Sequence, residues 1–210
     1  MQILIKLLFK ENPLIVIFLI LRYLILPLKT VINNIPIKGT ILEVGSGHGL
    51  LSYYFAYNNK NLNVIGIDPD LKRINFAKKN FENLNNLKFQ HGLFGSKFEE
   101  KNFDCIMFYG VFCLMNDKNV ISLLKAAKLK LKKNSVIYMS DILKNKKSLI
   151  YYFHILRENF FKIVGFTKGD IVISRSNKKW NEIFIKSGFE KIKVINAKVP
   201  FHSTIDYLLS

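Results

Sequence analysis

Thr40 to Leu51, T-I-L-E-V-G-S-G-H-G-L-L, is the stretch on which the reading of this chain turns. Ile41, Leu42 and Val44 form a short apolar run of the kind that fills a strand buried on both faces. The run breaks at Gly45, and glycine returns at Gly47 and Gly49. Leu50, Leu51, Tyr54 and Phe55 then follow at the spacing of one helix face. A strand, a glycine turn and a helix N-terminus leave backbone N–H groups unpaired beside a gap that no side chain fills. A bulky ligand can lie against such bare backbone.

Working outward, Asn63 to Asp70 reads N-V-I-G-I-D-P-D, a second buried-strand run that ends in an acid. The interval between the runs holds one helix, which makes a βαβ unit. A carboxylate at the tip of the second strand, Asp68, suits the paired hydroxyls of a ribose. The glycine spacing separates two uses of this geometry. Dinucleotide-binding turns run G-x-G-x-x-G, whereas this one runs G-x-G-x-G with Leu50 at the third-glycine position. Glu43, inside the first strand, suits a positively charged ligand better than a pyrophosphate. A nicotinamide oxidoreductase is disfavoured on both counts.

The linked motifs E-x-G-x-G-x-G and G-I-D resemble those of the class I S-adenosylmethionine-dependent methyltransferases, and the likeness extends from about Gly39 onward. The resemblance implies an α/β, Rossmann-like seven-stranded sheet, mostly parallel with the last strand antiparallel, flanked by helices. It implies S-adenosyl-L-methionine as cofactor. Glu43, Gly45, Ser46, Gly47 and Gly49 would hold its methionine end, and Asp68 and Pro69 would meet the ribose. The segment after a third strand at Leu87–Gln90, namely His91, Gly92 and Leu93, would contact the adenine. The family often carries an acid at the position of His91, and this chain departs there. Phe103 to Gly110 resembles the fourth strand, which puts Tyr109 between donor and acceptor. The following Y-G-V-F lacks the prolines of methyltransferases that act on nucleobase amines, which argues against that substrate class.

Further along, Asp70 is an N-cap for a helix reaching about Leu84. Asn116 to Lys133 reads as a helix, Ser135 to Ser140 as a fifth strand, and Trp180 to Gly188 as a helix closed by glycine. Gly188 to Val194 reads as a strand, and Ser203 to Leu209 as a final antiparallel one. Cys105 and Cys113 fall in or beside a buried strand and read as free thiols of a reducing compartment. No metal-ligand spacing joins them to His48, His91, His154 or His202.

The chain has 210 residues, half of them apolar, enough for one domain with an appendage and too apolar for disorder. Thirty-two Lys and Arg against fifteen Asp and Glu give a net charge of +17. Such an excess attracts nucleic acid or anionic membrane. Its lysines are scattered, however, and the Ile-, Asn-, Lys- and Phe-rich composition also fits an AT-rich coding bias.

Two segments lie outside a minimal domain. Residues 1–38 form an N-terminal segment that is strongly apolar from Met1 to Ile32, where Lys6, Lys10, Glu11, Asn12 and Arg22 interrupt it. The unbroken apolar part falls short of the roughly 20 residues a bilayer span needs. It reads either as a pair of helices capping the cleft or as a membrane-interface segment with Lys6, Lys10, Arg22 and Lys29 at headgroup level. Residues 39–210 form the methyltransferase domain, with a helical insert near 144–176. The aromatic run Leu149 to Phe161 in that insert reads first as a helix packed on its own domain. Together these segments favour a small, apolar or lipid-like acceptor and a cytoplasmic protein that can sit peripherally at the inner membrane face. An RNA-directed methyltransferase, or a non-catalytic module binding membrane or nucleic acid, stays open beside it. Should the acceptor be a hydroxyl, a base is needed, and His154, Tyr109, Asp141 and His202 are candidates with no motif among them.

Overall fold

The computed structural model describes residues 2–95, 98–145, 148–163, 165, 172–195 and 204–210. Three helices open the chain: α1 (Gln2–Leu7), α2 (Pro13–Ile25) and α3 (Leu28–Ile32). There follow β1 (Gly39–Val44), α4 (Leu50–Asn58), β2 (Leu62–Asp68), α5 (Leu71–Phe81), β3 (Leu87–His91) and β4 (Phe103–Tyr109). After a 3-10 turn at Phe112–Leu114 come α6 (Asp117–Lys128), β5 (Leu131–Ile142), α7 (Leu149–Ile163), α8 (Asn177–Lys186), β6 (Ile192–Ile195) and β7 (Thr204–Leu209).

The strands form one seven-stranded sheet in the order β3-β2-β1-β4-β5-β7-β6. Neighbours from β3 through β5 pair parallel, and β7 runs antiparallel to both β5 and β6. This is the Rossmann-like methyltransferase sheet that the motifs imply. Ile41 and Leu42 of β1 are fully buried in different apolar clusters, because helices cover both faces. One cluster joins α4 and α5 to the N-terminal helices; the other takes in α6 and α8 through Val120, Leu124, Trp180 and Phe184. The order reverses at β1, whose neighbours β2 and β4 lead off in opposite directions. A ligand crevice forms beyond the carboxyl ends of strands at such a point.

Local chemistry fixes the frame. Asp70 caps α5 by accepting from Lys72 N at 3.0 Å and Arg73 N at 3.4 Å. Asp104 at the start of β4 accepts from Thr40 N and Lys132 Nζ, each at 2.7 Å, tying β1, β4 and β5 together. Gly188, at φ +84°, takes the left-handed position that ends α8.

Several boundaries differ from the sequence reading. Helix α6 stops at Lys128, and β5 begins at Leu131, four residues earlier than Ser135. Leu131 continues the helical apolar spacing, but it pairs with Phe103 across a register shift, and Asn134 turns the chain at φ +64°. The strand expected from Gly188 begins at Ile192, because Gly188 belongs to the helix stop. Ser203 lies outside the described residues. The N-terminal segment holds three helices, not two. Leu4, Leu7, Val16, Phe18, Leu19 and Val31 are buried, and Glu11 pairs with Lys79 of α5 at 2.7 Å.

The aromatic run reads first as a helix packed on its own domain, yet most of the apolar side chains of α7 face outward. Tyr151 is buried and its hydroxyl meets Ser174 Oγ at 2.7 Å, whereas Leu149, Tyr152, Phe153, Leu156 and Ile163 are exposed. A lone bridge between Leu143 and Arg175 closes the base of the segment carrying α7. No helix among the described residues is long and apolar enough to cross a membrane.

Candidate cofactor and active site

The turn after β1 is held by its own backbone. Gly45 N and Ser46 N both donate to Ile67 O, at 2.8 and 3.1 Å, and Gly47 N donates to Asp68 Oδ2 at 2.9 Å. The three glycines serve different ends. At Gly49 (φ +81°) a Cβ would come within 2.5 Å of the Phe89 ring, and at Gly45 (φ +77°) within 2.7 Å of Val111. At Gly47 (φ +55°) a Cβ would meet nothing within 4 Å. Gly49 and Gly45 therefore permit close packing, while Gly47 leaves bare backbone facing open space.

That space is a cavity of about 260 Å³. Of the residues expected at the cofactor, Glu43, Gly45, Ser46, Gly47, Asp68, Pro69, Leu93 and Tyr109 line it. Gly49, His91 and Gly92 stand behind the lining. Gly49 packs on Phe89, Gly92 N donates to Asp68 O at 3.1 Å, and the exposed His91 ring places Nε2 at 3.1 Å from Pro69 O. The His91 side chain thus braces the neighbouring loop.

The polar end of the cavity is set by burial. Glu43 is 4 % exposed and accepts a short hydrogen bond from Ser52 Oγ. Burial pushes its carboxyl up to about 7, although the Ser52 hydroxyl and the Arg22 charge pull it back. Asp68 already accepts from Gly47 N and, through Oδ1, from Asp70 N at 2.8 Å. Ser46 Oγ is buried with no partner among the described residues.

Leu114, Met115 and the individual residues of α2 in the lining are not singled out by the sequence, whereas Val111 follows from the reading of β4. Phe18, Leu19, Arg22 and Leu26 of α2 form one wall, and Val111, Leu114 and Met115 after β4 form another. Arg22, one of the charges assigned to a headgroup layer in the membrane-interface reading, faces the cavity. His48 packs edge-on between Phe18 and Phe76, with ring centroids 6.1 and 5.2 Å away. Burial holds its imidazole down at about 4, so it is neutral and serves as a joint between α2 and α5. The signal for Arg22 was present: it is the lone charge between Pro13 and Leu28 in an otherwise apolar run.

The wall after β4 is pinned by Arg175, itself 3 % exposed. Its guanidinium donates to Phe112 O at 2.9 Å and Met115 O at 2.5 Å, pairs with Asp117 at 2.8 Å, and lies 5.1 Å over the Trp180 ring. Three carboxylate or carbonyl partners and an aromatic face satisfy a buried cation that would otherwise be costly.

Among the candidate bases, Tyr109 lines the cavity, but burial pushes its phenol well above the ordinary range, with Asp206 adding to the shift. It is a neutral hydrogen-bonding group at working pH. Asp141 is buried outside the cavity, where it accepts from Ile142 N at 2.6 Å. The His154 side chain and all of His202 lie outside the described residues. Cys105 and Cys113 are buried free thiols. Among the described residues no three His, Cys, Asp or Glu side chains gather as metal ligands would.

The glycine turn, the acid at the β2 tip and the sheet order define a class, and comparison with known proteins gives the family. A family model described as a methyltransferase domain matches residues 38–188. The chain belongs to that family, within the class I S-adenosylmethionine-dependent methyltransferases. No match was found among curated proteins. Among solved structures, human N-acetylserotonin methyltransferase in complex with S-adenosylmethionine is similar with a TM-score of 0.70 at 15% identity, over 88% of this chain and 51% of that one. A methyltransferase from Methanosarcina mazei is similar with a TM-score of 0.63 at 16% identity, over 85% of this chain and 94% of that one. Magnesium protoporphyrin IX methyltransferase from Synechocystis PCC 6803, with bound S-adenosylhomocysteine, gives 0.61 at 16% identity, over 86% and 77%. At such identities the likeness is one of fold. The chain spans about half the length of several of the solved methyltransferases it matches.

Proposed function

We propose that this protein transfers a methyl group from S-adenosylmethionine to a small acceptor that is apolar or lipid-like. The observation that carries the reading is the division of one cavity into a polar end at the glycine turn and an apolar end between α2 and the wall after β4. S-adenosylmethionine supplies a methyl group already activated on a sulfonium. The bare backbone at Gly47 and the unpartnered Ser46 hydroxyl fit such a ligand, and Glu43 offers a carboxylate to its cationic end. Asp68 keeps lone pairs for ribose hydroxyls. Pro69 and Leu93 flank the base, with His91 bracing Pro69 and Gly92 supporting Asp68 from behind.

The chain's part in catalysis is then positioning and exclusion of water. Tyr109, Gly110 and Val111 separate the two ends, while Leu26, Leu114 and Met115 enclose the acceptor. The outer faces of α2 and α7 support a peripheral site at an anionic membrane surface. Leu14, Ile17, Leu21 and Leu24 on α2 and Leu149, Phe153, Leu156 and Ile163 on α7 are exposed, and the chain carries +17. This arrangement would give an apolar acceptor a short path into the cavity.

Incubating the protein with methyl-labelled S-adenosylmethionine and fractionated cell extracts tests the reading. Label should appear in the organic phase and rise with anionic vesicles. Label in RNA, together with salt-dependent RNA binding and no vesicle binding, would replace the lipid-like acceptor by RNA. No label in any fraction, with donor bound, would leave a binding module.

A further inference from the structure

We propose that Arg22 of α2 is a donor-binding residue, its guanidinium receiving the α-carboxylate of S-adenosylmethionine across Gly110. This rests on the donor assignment above and adds to it a residue outside the segment, 38–188, that the family model matches.

Position comes first. Asp68 at the tip of β2 and Gly110 just beyond β4 stand on either side of the turn that follows β1. Strands lie about 4.8 Å apart, so these two tips are separated by roughly 10 Å. A ligand whose ribose is at Asp68 and whose chain crosses the glycine turn ends beside Gly110. That is where the arginine is: a Cβ built on Gly110 would have Arg22 Nη2 as its nearest neighbour, at 3.9 Å. Glycine at 110 leaves the space in front of the guanidinium open.

Charge comes second. Two arginines line the cavity, and Arg73 is engaged with Asp70 at 3.4 Å. Arg22 is half-buried and makes no hydrogen bond or ion pair with the described residues. It shares the cavity lining with Phe18, Leu26 and Val111, an apolar setting in which a guanidinium gains most from a planar bidentate anion. The donor carries two positive groups and one carboxylate. The acids Glu43 and Asp68 answer the first kind of charge and the ribose, and Arg22 answers the second.

Consequently α2 is bound to the rest of the site through the ligand as well as through its apolar face. Calorimetry on the full chain with S-adenosylmethionine and with decarboxylated S-adenosylmethionine tests this. The wild type should bind the decarboxylated compound at least tenfold more weakly. Arg22→Gln should bind S-adenosylmethionine at least tenfold more weakly and treat the two compounds alike, with Arg22→Lys between. If Arg22→Gln still prefers the carboxylated donor by the wild-type factor, the assignment is wrong. The same holds if wild type binds both compounds equally. A wild type that binds neither removes the donor assignment itself, and this one with it. Thermal melts of each variant, matched to wild type, show that a lost preference is not lost folding.

Discussion

The glycine-turn side of the cavity and the α2 side enclose one space by different means. On the first, a ligand would meet main chain: Gly45, Ser46 and Gly47 are fixed by hydrogen bonds to Ile67 and Asp68, within a few residues of the strands that carry them. On the second, it would meet side chains of a helix that shares no sheet bond with the domain. Helix α2 is held by Val16, Phe18 and Leu19 in the apolar cluster, by His48 between two phenyl rings, and by one ion pair at Glu11. A site of the first kind depends on backbone conformation, and substituting its glycines strains left-handed backbone. A site of the second kind depends on buried area, and its lining can vary with the acceptor.

Substitutions separate the two sides. The largest effect is expected at Gly49→Ala, where left-handed backbone and contact with Phe89 combine to cost about 3 kcal/mol in urea unfolding. Gly47→Ala, with open space around it, should cost only about 1 kcal/mol while weakening donor binding by calorimetry. Equal losses for the two would erase the distinction between packing and ligand-facing glycines. On the other side, Leu19→Ala should remove about 2–3 kcal/mol and keep a single cooperative transition. A separate early transition would mean that α2 unfolds on its own.

Asp68→Ala should lower donor affinity at least tenfold, about 1.4 kcal/mol, and unchanged affinity would remove the ribose assignment. The pH dependence of binding probes Glu43. Its carboxyl titrates near 7 when buried without ligand, and a cationic ligand favours the ionised form. Donor affinity should therefore rise about tenfold from pH 6 to pH 8 and level off, a slope absent in Glu43→Gln. A second pH effect, on folding instead of binding, concerns Asp141, raised from 3.8 to about 7 by burial. The folded state holds its proton more tightly, so the stability tied to this group is full below pH 4 and is lost as pH rises through 7. Asp141→Asn should consequently be more stable than wild type at pH 8 and no more stable at pH 4, measured by urea midpoints.

This contrast also explains what the amino-acid sequence discloses. The sheet, the turn and Asp68 are legible because their causes are local: apolar runs of strand length, glycines at fixed spacing, an acid where a strand ends. The start of β5 at Leu131 is not, since Leu131 fits a helix by spacing and is claimed for the sheet only by its partner Phe103. Arg22 could be noticed as a lone charge in an apolar run, but nothing near it in sequence says that it faces Gly110. His48 sits inside the glycine motif, yet its role depends on Phe18 and Phe76, thirty and twenty-eight residues away in opposite directions. The outward aromatic face of α7 is not legible, because composition reports hydrophobicity and not the side on which a neighbour lies.

Arg175 has a consequence for how this site could change its taste in acceptors. It grips the turn after β4 by the carbonyls of Phe112 and Met115, and main-chain oxygens are present whatever side chain is attached. The contour at Leu114 and Met115 can be retailored, one side chain at a time, while the scaffold behind it keeps its shape. A library restricted to those two positions, with Arg175 untouched, is the economical place to look for altered acceptor preference.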